Sequence, residues 1–222
     1  MTTVVRIDPR QPDPAVLREA IGVLRAGGTV VYPTDTFYGL GADATNLEAV
    51  RGVVRAKGRP DGRPMPVLIG DLEQLPTITP PLDGPARMLV ERFWPGALTL
   101  VVPALPGWER LASAEGRIGV RLPDHAVPRA LSRLLAAPIV GTSANRSGEP
   151  TPRDLAGLLA RLDGRVGLVL DAGDLPPSKG STVVELVGAE ARVVREGDLP
   201  LAAVRDALDD LGLRATIAEA ER

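Results

Sequence analysis

The sequence has no cysteine and a single histidine, His125, and these two scarcities exclude several kinds of chemistry. Without cysteine there can be no disulfide, no thiolate nucleophile and no cysteine-bound metal. One histidine provides neither a zinc cluster nor the usual base of a catalytic triad. We interpret His125, next to a helix cap, as a surface residue. Aromatic residues make up 3% of the chain, so a surface that stacks nucleic-acid bases has few candidates.

Long apolar runs are also missing. No stretch approaches the roughly 18 apolar residues of a membrane span, and the N-terminus lacks a basic patch followed by an apolar segment. The net charge is −2 over 222 residues, so any site for anions must be local. These features predict a soluble, cytoplasmic protein without a membrane partner.

Lysine is scarce, with two lysines (Lys57 and Lys179) against 24 arginines. A chain this rich in arginine keeps a lysine either by chance or where a compact ammonium group is required. Both explanations stay open at this point.

Strands alternate with helices along the chain, which predicts an α/β fold. Two consecutive strands near the end, hairpin-like around Gly188, make the predicted sheet mixed. We expect one twisted mixed sheet flanked by helices, in a single domain over residues 1–210, with a charged tail over 211–222. The predicted helices cover 13–27, 45–57, 83–93, 124–134, 151–162 and 200–211; the predicted strands cover 29–33, 65–69, 97–102, 117–121, 139–142, 166–171, 181–187 and 191–195.

The segment from Gly27 to Gly41 is the centre of this organisation. A β-prone run, Thr29–Tyr32, breaks at Pro33 into a loop with two threonines, one aspartate and two glycines. An apolar strand that leads into a small, hydroxyl-rich loop is a common way for α/β proteins to present a ligand site. An ordinary buried strand and turn is the alternative.

Three further segments carry charge or hydroxyl groups. Residues 57–64 (KGRPDGRP) place three cations on a loop stiffened by prolines, which suits a polyphosphate but lacks the Walker pattern. Residues 143–148 (SANRSG) join a strand to a capped helix and could bind an anion or a ribose. Each could equally be a solvated polar turn. The hydroxyl-plus-glycine composition recurs in residues 178–184.

Arg117 and Arg121 lie four residues apart on a predicted strand, so their side chains share one face. Either they form salt bridges at the rim, or they meet an anion, and Arg121 could grip a carboxylate through two hydrogen bonds. Asp35 and Asp171 follow strands, but neither has a partner at a spacing diagnostic of metal binding. Cations and hydroxyls without a strong nucleophile suit phosphoryl or adenylyl transfer, where positioning and charge neutralisation dominate.

Taken in order, the motifs resemble those of the YrdC-like family of threonylcarbamoyl-AMP synthases over about residues 14–200. The motifs are GGTVVYPTDTFYGLG, KGRPDGRPMPVLI, FWPGALTLV, RIGVRLPDH, GTSANRSGEPTP, GSTVVEL and VVREG. The resemblance implies a single YrdC-like domain with a large basic concave site. It also implies that L-threonine, bicarbonate or CO2, and ATP with Mg²⁺ react to give threonylcarbamoyl-AMP and pyrophosphate. The product would pass to a tRNA threonylcarbamoyl transferase complex.

The resemblance also implies roles for particular residues. Lys57 and Arg59 match the family's phosphate-binding pair and are the candidate catalytic residues. Threonine would be bound by Thr34, Arg121 and Ser181. ATP would be bound by Lys57, Arg59, Arg117, Thr142, Ser143, Asn145, Thr151 and Arg195. No protein metal ligand is implied.

The chain departs from the family pattern at three positions. Thr142 replaces a common proline, and Met65 and Leu68 stand where many members have leucine and histidine. The chain ends soon after the motifs, so we expect the short form of the family. Two alternatives remain: a non-catalytic module that binds tRNA or rRNA, and a domain that forms a carbamoyl adenylate from carbamoyl phosphate.

Overall fold

The helices of this computed structural model follow the predicted pattern closely. It describes residues 2–60, 62–82, 84–187, 190–209 and 214–217, and structural statements below concern these residues. The helices are α1 (Pro14–Arg25), α2 (Leu47–Lys57), α3 (Gly84–Phe93), α4 (Ala126–Leu135), α5 (Leu155–Leu162) and α6 (Leu201–Asp209), with a 3₁₀ turn at Leu72–Thr77.

The strands form two mixed sheets. They are β1 (Thr3–Arg6), β2 (Val30–Tyr32), β3 (Gly39–Gly41), β4 (Val67–Leu68), β5 (Leu98–Pro103), β6 (Arg117–Arg121), β7 (Ile139–Val140), β8 (Thr142–Ser143), β9 (Leu168–Asp171), β10 (Thr182–Val187), β11 (Glu190–Arg195) and β12 (Arg214–Ile217). In the described residues the first sheet has the order β1-β9-β2-β3-β8 and the second β12-β11-β10-β5-β6-β4-β7. The first is parallel over β1-β9-β2, and β5-β6 and β10-β11 are antiparallel pairs in the second.

The run from Ile139 to Ser143 crosses from one sheet to the other. Its first half, β7, pairs with β4, and its second half, β8, pairs with β3. Gly141 lies at the crossing, where a Cβ atom would come within 2.7 Å of the Leu68 side chain. A residue without a side chain is therefore required where the strand changes sheets.

Local capping explains where the helices begin. Asp13 accepts a hydrogen bond from the Ala15 amide and is followed by a proline, as predicted for the start of α1. For the helices predicted over 124–134 and 151–162, the first residue of each range was expected to be the cap, and this was wrong in both. His125, not Asp124, caps α4 through its ring nitrogen, and Asp154, not Thr151, caps α5. A cap accepts from the amide two or three residues ahead, and the two residues that do so here stand immediately before their helices.

Apolar faces of the helices cover the sheets in two clusters. Helices α1 and α4 pack together with residues of β2 and β9, so Leu17, Ile21 and Leu131 lie in one cluster. The larger cluster includes Val50 and Val53 of α2, together with residues of β5 and β6. Among the described helices, none is both long and apolar enough to cross a membrane.

The predicted mixed α/β fold is confirmed, with two sheets in place of one. Strands β1 and β3 were not predicted, because β1 is short and mostly exposed and β3 is Gly-Leu-Gly. Residues 214–217 of the predicted tail form β12, which pairs in parallel with β11. Asp83, the predicted start of α3, Gly188 of the hairpin turn, and residues 210–213 and 218–222 lie outside the described residues, so the division of the chain at residue 210 stays a prediction.

We expect Gly41→Ala to destabilise the protein by about 1–3 kcal/mol, the usual cost of overpacking. A Cβ at this position would lie 2.5 Å from the Tyr32 ring and 2.8 Å from the Val140 carbonyl oxygen. Gly22→Ala is the control, because Gly22 is exposed on α1 with no atom within 4 Å of a new Cβ. This control should gain about 0.5–1 kcal/mol. Urea unfolding measures both, and equal stability of Gly41→Ala and the unaltered protein would contradict the close packing.

Candidate active site

A cavity of about 720 Å³ opens between the two sheets. This volume lies within the range of small-molecule sites, roughly 300–1,000 Å³. Both sheets supply its walls, because β2, β3 and β8 come from the first and β5, β6, β10 and β11 from the second. Of the predicted site residues, the following line it: Thr34, Arg117, Arg121, Thr142, Ser143, Thr151, Ser181 and Arg195.

Arg121 is a buried cation that lines the cavity from β6. Its Nε donates to the Gly96 carbonyl at 2.9 Å, Nη1 to the Thr36 hydroxyl at 3.0 Å and Nη2 to the Asp35 carboxylate at 2.7 Å. A guanidinium has five N–H donors, so these contacts leave one on each terminal nitrogen without a partner in the described part of the chain. Two such donors are what a bidentate carboxylate requires.

Thr34 shapes the loop before β3. Its hydroxyl accepts from the amides of Thr36 and Phe37 at 3.1 and 3.2 Å and lies 2.6 Å from the Phe37 carbonyl oxygen. The hydroxyl is thus engaged in a tight local turn. Thr34 lines the cavity as predicted, yet its hydrogen-bonding capacity is largely used within its own loop.

Arg117 lies four residues before Arg121 on the same face of β6, as the strand period predicts. Its Nε is 2.8 Å from the Glu185 carboxylate, and Nη2 donates to the carbonyls of Val101 and Leu186. Arg117 is therefore charge-balanced by a second cavity residue. The sequence allowed either a salt bridge or contact with an anion for this arginine. The structure has a salt bridge, to Glu185, and both residues line the cavity.

Arg195 stands at the rim of the cavity and is fixed to Ser181. Its Nη2 donates to the Ser181 carbonyl at 2.9 Å and approaches the Ser181 hydroxyl at 3.3 Å. That hydroxyl in turn lies 2.8 Å from the hydroxyl of Thr99. The pKa of Arg195 is lowered, mainly by partial burial and also by the positive charge of Arg121. An arginine in this setting gains from an arriving anion, which would offset the repulsion.

Hydroxyl groups line the opposite side. Thr142 and Thr151 face the cavity, and their hydroxyls make no hydrogen bond within the described residues. Ser143 donates to the Asn145 side-chain oxygen at 2.6 Å. Because α5 begins only at Leu155, Thr151 is not used as a cap and its hydroxyl remains available.

Lys57 and Asn145 lie outside the cavity lining, beneath the loop that carries Ser143. The Lys57 ammonium donates to the Ser143 carbonyl at 2.6 Å, the Asn145 carbonyl at 3.1 Å and the Asn145 side-chain oxygen at 2.9 Å. Burial, and secondarily the charge of Arg59, lowers the pKa of Lys57 to about 8. The resemblance implied that both residues contact ATP. In the structure they lie behind Ser143, which itself lines the cavity.

Arg59 also lies outside the lining, at the mouth of the cavity. Its Nη2 is 3.4 Å from the Pro64 carbonyl, and Pro64 itself lines the cavity. Burial and the charge of Arg63 lower the pKa of Arg59. Arg63 is exposed, and Asp61 of the same loop lies outside the described residues. The loop therefore carries its cations at the entrance, and no carboxylate of the described residues forms an ion pair with Arg59 or Arg63.

The sequence did not indicate the roles of several residues in and around the cavity. Asp35 and Thr36 fix Arg121, and the hydroxyl-rich loop that contains them was recognised, but not this role. Glu185 lies on the same face of its strand as Ser181 and Val183, so the period of two used for Arg117 and Arg121 would have found it. Nothing in the sequence indicated Tyr38, whose hydroxyl donates to the Gly173 carbonyl at 2.6 Å.

Metal ligands are sparse in this site. Within the described residues there is no group of three or more histidine, cysteine, aspartate or glutamate side chains able to hold an ion. Asp35 and Asp171 are each paired with an arginine, Arg121 and Arg6. A Mg²⁺ ion held by the protein alone does not fit this donor set, since such sites use oxygen ligands in near-octahedral geometry.

We expect Arg121→Met to cost about 3 kcal/mol of stability, because it leaves the largely buried Asp35 carboxylate without its cation. The two side chains are 7% and 16% exposed. Asp35→Asn, introduced into the same chain, removes the stranded charge and should recover part of that loss. Urea unfolding of the two variants tests this. A double variant less stable than Arg121→Met would show that the pair is not the source of the cost.

Comparisons with known proteins agree with this architecture. The family model named Sua5/YciO/YrdC, described as "Telomere recombination", matches residues 22–197. A threonylcarbamoyl-AMP synthase of Bacillus subtilis is 38% identical over 189 residues, which covers 84% of this chain and 54% of that protein. A putative threonylcarbamoyl-AMP synthase of Mycobacterium tuberculosis is 39% identical over 203 residues, 90% of this chain and 92% of that protein.

The structural match is equally extensive. The crystal structure of Pyrococcus abyssi Sua5 complexed with L-threonine superposes with a TM-score of 0.89 at 32% identity, and covers 97% of this chain and 63% of that one. The chain thus spans little more than half the length of some of the relatives it matches. By the family model, by these identities and by the shared fold, the chain belongs to the Sua5/YciO/YrdC family.

Proposed function

We propose that this protein is a threonylcarbamoyl-AMP synthase. It would convert L-threonine, bicarbonate or CO2, and ATP into threonylcarbamoyl-AMP and pyrophosphate. Support comes from relatives of that name at 38% and 39% identity and from a cavity that is large enough for an amino acid and a nucleotide together. The protein would act in the cytoplasm, where tRNA is modified.

The main observation in support of the proposal is the hydrogen bonding of Arg121. This arginine is preorganised by three protein oxygens and keeps one donor on each terminal nitrogen. A fork of this kind can bind the carboxylate of a free amino acid through two parallel hydrogen bonds. Ser181 and the Thr34 loop lie in the same cavity and would complete the wall around the threonine.

The nucleotide would occupy the remainder of the cavity. Thr142 and Thr151 offer free hydroxyls for phosphate or ribose oxygens, and Arg195 and Arg59 would provide the cations at the rim and the mouth. Arg117, already paired with Glu185, would act there as part of a donor–acceptor surface. Mg²⁺ would arrive with ATP and be held by phosphate oxygens, because the described residues provide no ligand set of their own.

The reaction then needs positioning more than a nucleophilic side chain. The neutral amine of threonine attacks CO2, a C–N bond forms, and one proton is released to give a carbamate. A carbamate oxygen attacks the α-phosphorus of ATP, and the bond to the β-phosphate oxygen breaks as pyrophosphate leaves. Fixed arginines that hold the carboxylate and the phosphates reduce the entropy cost and balance the developing charge.

The product is a reactive mixed anhydride, so a second protein must consume it. We propose transfer of the threonylcarbamoyl group to an adenosine of tRNA by a transferase complex. A pure RNA-binding role has less support, because all six aromatic side chains are buried or half-buried and offer no exposed stacking surface.

Pyrophosphate release tests the proposal. Release should require ATP, L-threonine and bicarbonate together, and omission of either co-substrate should reduce it to background. Pyrophosphate release that is independent of threonine would contradict the assignment. Binding to RNA that falls steeply with salt, without threonine-dependent use of ATP, would favour the alternative.

Arg121→Lys should raise the KM for threonine by about tenfold or more, because an ammonium cannot replace the two parallel hydrogen bonds to a carboxylate. The KM for ATP should change much less. Arg18→Lys is the matched control, since Arg18 is exposed on α1 and remote from the cavity lining. Steady-state kinetics with varied threonine measures the effect. An unchanged KM for threonine in Arg121→Lys would place the carboxylate elsewhere.

A further inference from the structure

The position of Lys57 differs from that of a residue that contacts substrate. The residue is 5% exposed, and it is absent from the lining of the cavity. The ammonium group has three N–H donors, and three oxygens of Ser143 and Asn145 lie within 3.1 Å of it. Every donor is therefore used by the protein itself.

The main chain of Lys57 makes a second connection to the same loop. Its carbonyl oxygen accepts from the Ser147 amide at 2.9 Å. The side chain and the backbone of one residue thus hold both ends of the segment 143–147 against the C-terminal end of α2. This segment is continuous with Thr142 and Ser143, which face the cavity.

We propose that Lys57 is a positioning residue for the nucleotide, acting through the segment 143–147 and not by touching phosphate. We call this arrangement the Lys57 clamp. It fixes the backbone that presents Thr142 and Ser143, and it depends on the ammonium form, because a neutral amine has two donors and directs a lone pair at one of the three oxygens. The effect on catalysis rests on the proposed function; the clamp itself does not.

The surroundings of Lys57 determine its pKa, and therefore the pH at which the clamp weakens. The charged groups of the surrounding segments are Arg59 on its own loop, Arg146 beside Gly58, and Glu149, whose carboxylate lies 3.9 Å from Arg146 and 3.3 Å from Arg161. In the described residues no carboxylate contacts the ammonium. Consistent with this, the pKa of Lys57 lies near 8. The three-donor clamp is intact below that pH and loses a donor as the pH rises through it.

Because the chain has only two lysines, the titration of Lys57 can be measured directly. With two lysines in the chain, labelling lysine with 13C at Cε gives two resonances, and Lys179→Arg identifies that of Lys57. Lys179 is exposed and lies outside the site, so this variant is also the functional control. We expect the Lys57 resonance to titrate near pH 8 and the amide resonances of Ser143 and Asn145 to follow the same midpoint.

Nucleotide binding should be linked to this titration. A saturating non-hydrolysable ATP analogue should raise the Lys57 midpoint, since linkage is reciprocal. Its dissociation constant should increase about three- to tenfold as the pH rises from 7 to 9, the effect of losing one hydrogen bond to a charged donor. Loop amides that do not follow the titration of Lys57, or a Lys57 midpoint that the analogue leaves unchanged, would overturn the proposal.

A double-mutant cycle separates positioning from direct contact. Lys57→Met and Asn145→Ala should each weaken analogue binding, and the double variant should bind about as weakly as the weaker single variant. If the fold-losses in analogue affinity of the two single variants multiply in the double variant, Lys57 contacts the phosphate directly and the clamp is refuted. If Lys57→Met does not fold, the NMR titration of the unaltered protein still tests whether Lys57 acts through the segment 143–147. Neither measurement needs turnover, so absence of pyrophosphate release would count against the proposed function alone.

Discussion

The architecture depends on keeping one cation, Arg121, buried between two sheets. Its oxygen partners come from the loop after β2 and from Gly96 before β5, two segments that are far apart in the sequence. A buried guanidinium is tolerated only when it is paired and hydrogen-bonded, so these segments must meet at the inner end of the cavity. The same contacts that stabilise the cation also orient its remaining donors. Stability and binding therefore arise from one arrangement.

The cavity exists because the chain changes sheets. The run through Gly141 carries β7 and β8 into different sheets, and the Tyr32 hydroxyl donates to the Val140 carbonyl at 2.7 Å across the same junction. Glycines at positions 39 and 41 leave room for the Tyr32 ring. The two sheets thus meet closely at this junction and leave the space above it open for a ligand.

Much of this could be predicted from local chemistry. The cap at Asp13 and the shared face of Arg117 and Arg121 follow from spacing and residue type, whereas Thr151 was predicted to cap α5 and is instead free to face the cavity. Three strands were not predicted: β1 and β3, which are formed by pairing and not by intrinsic propensity, and β12, which lies in the predicted tail. The burial of the Lys57 side chain could not be predicted from the sequence either. A lysine on a proline-rich, basic loop is expected to face solvent, yet Lys57 ends α2 with its charge buried beneath the next loop.

Binding groups and supporting groups are separated in this site. Arg121, Thr142, Thr151 and Arg195 face the cavity, whereas Asp35 and Lys57 hold the segments that present them. This division suits the proposed adenylyl transfer, which needs no catalytic histidine or cysteine, since fixed charges and hydroxyls need only be held in place. In the proposed Lys57 clamp, the charge of an ammonium group outside the cavity affects nucleotide binding inside it.

The most direct test of this account is a crystal structure with L-threonine and a non-hydrolysable ATP analogue bound together. We expect the threonine carboxylate on both terminal nitrogens of Arg121, the nucleotide beside Thr142, Thr151 and Arg195, and the threonine amine near the α-phosphate. A threonine carboxylate bound away from Arg121, or the two ligands in separate places, would contradict it.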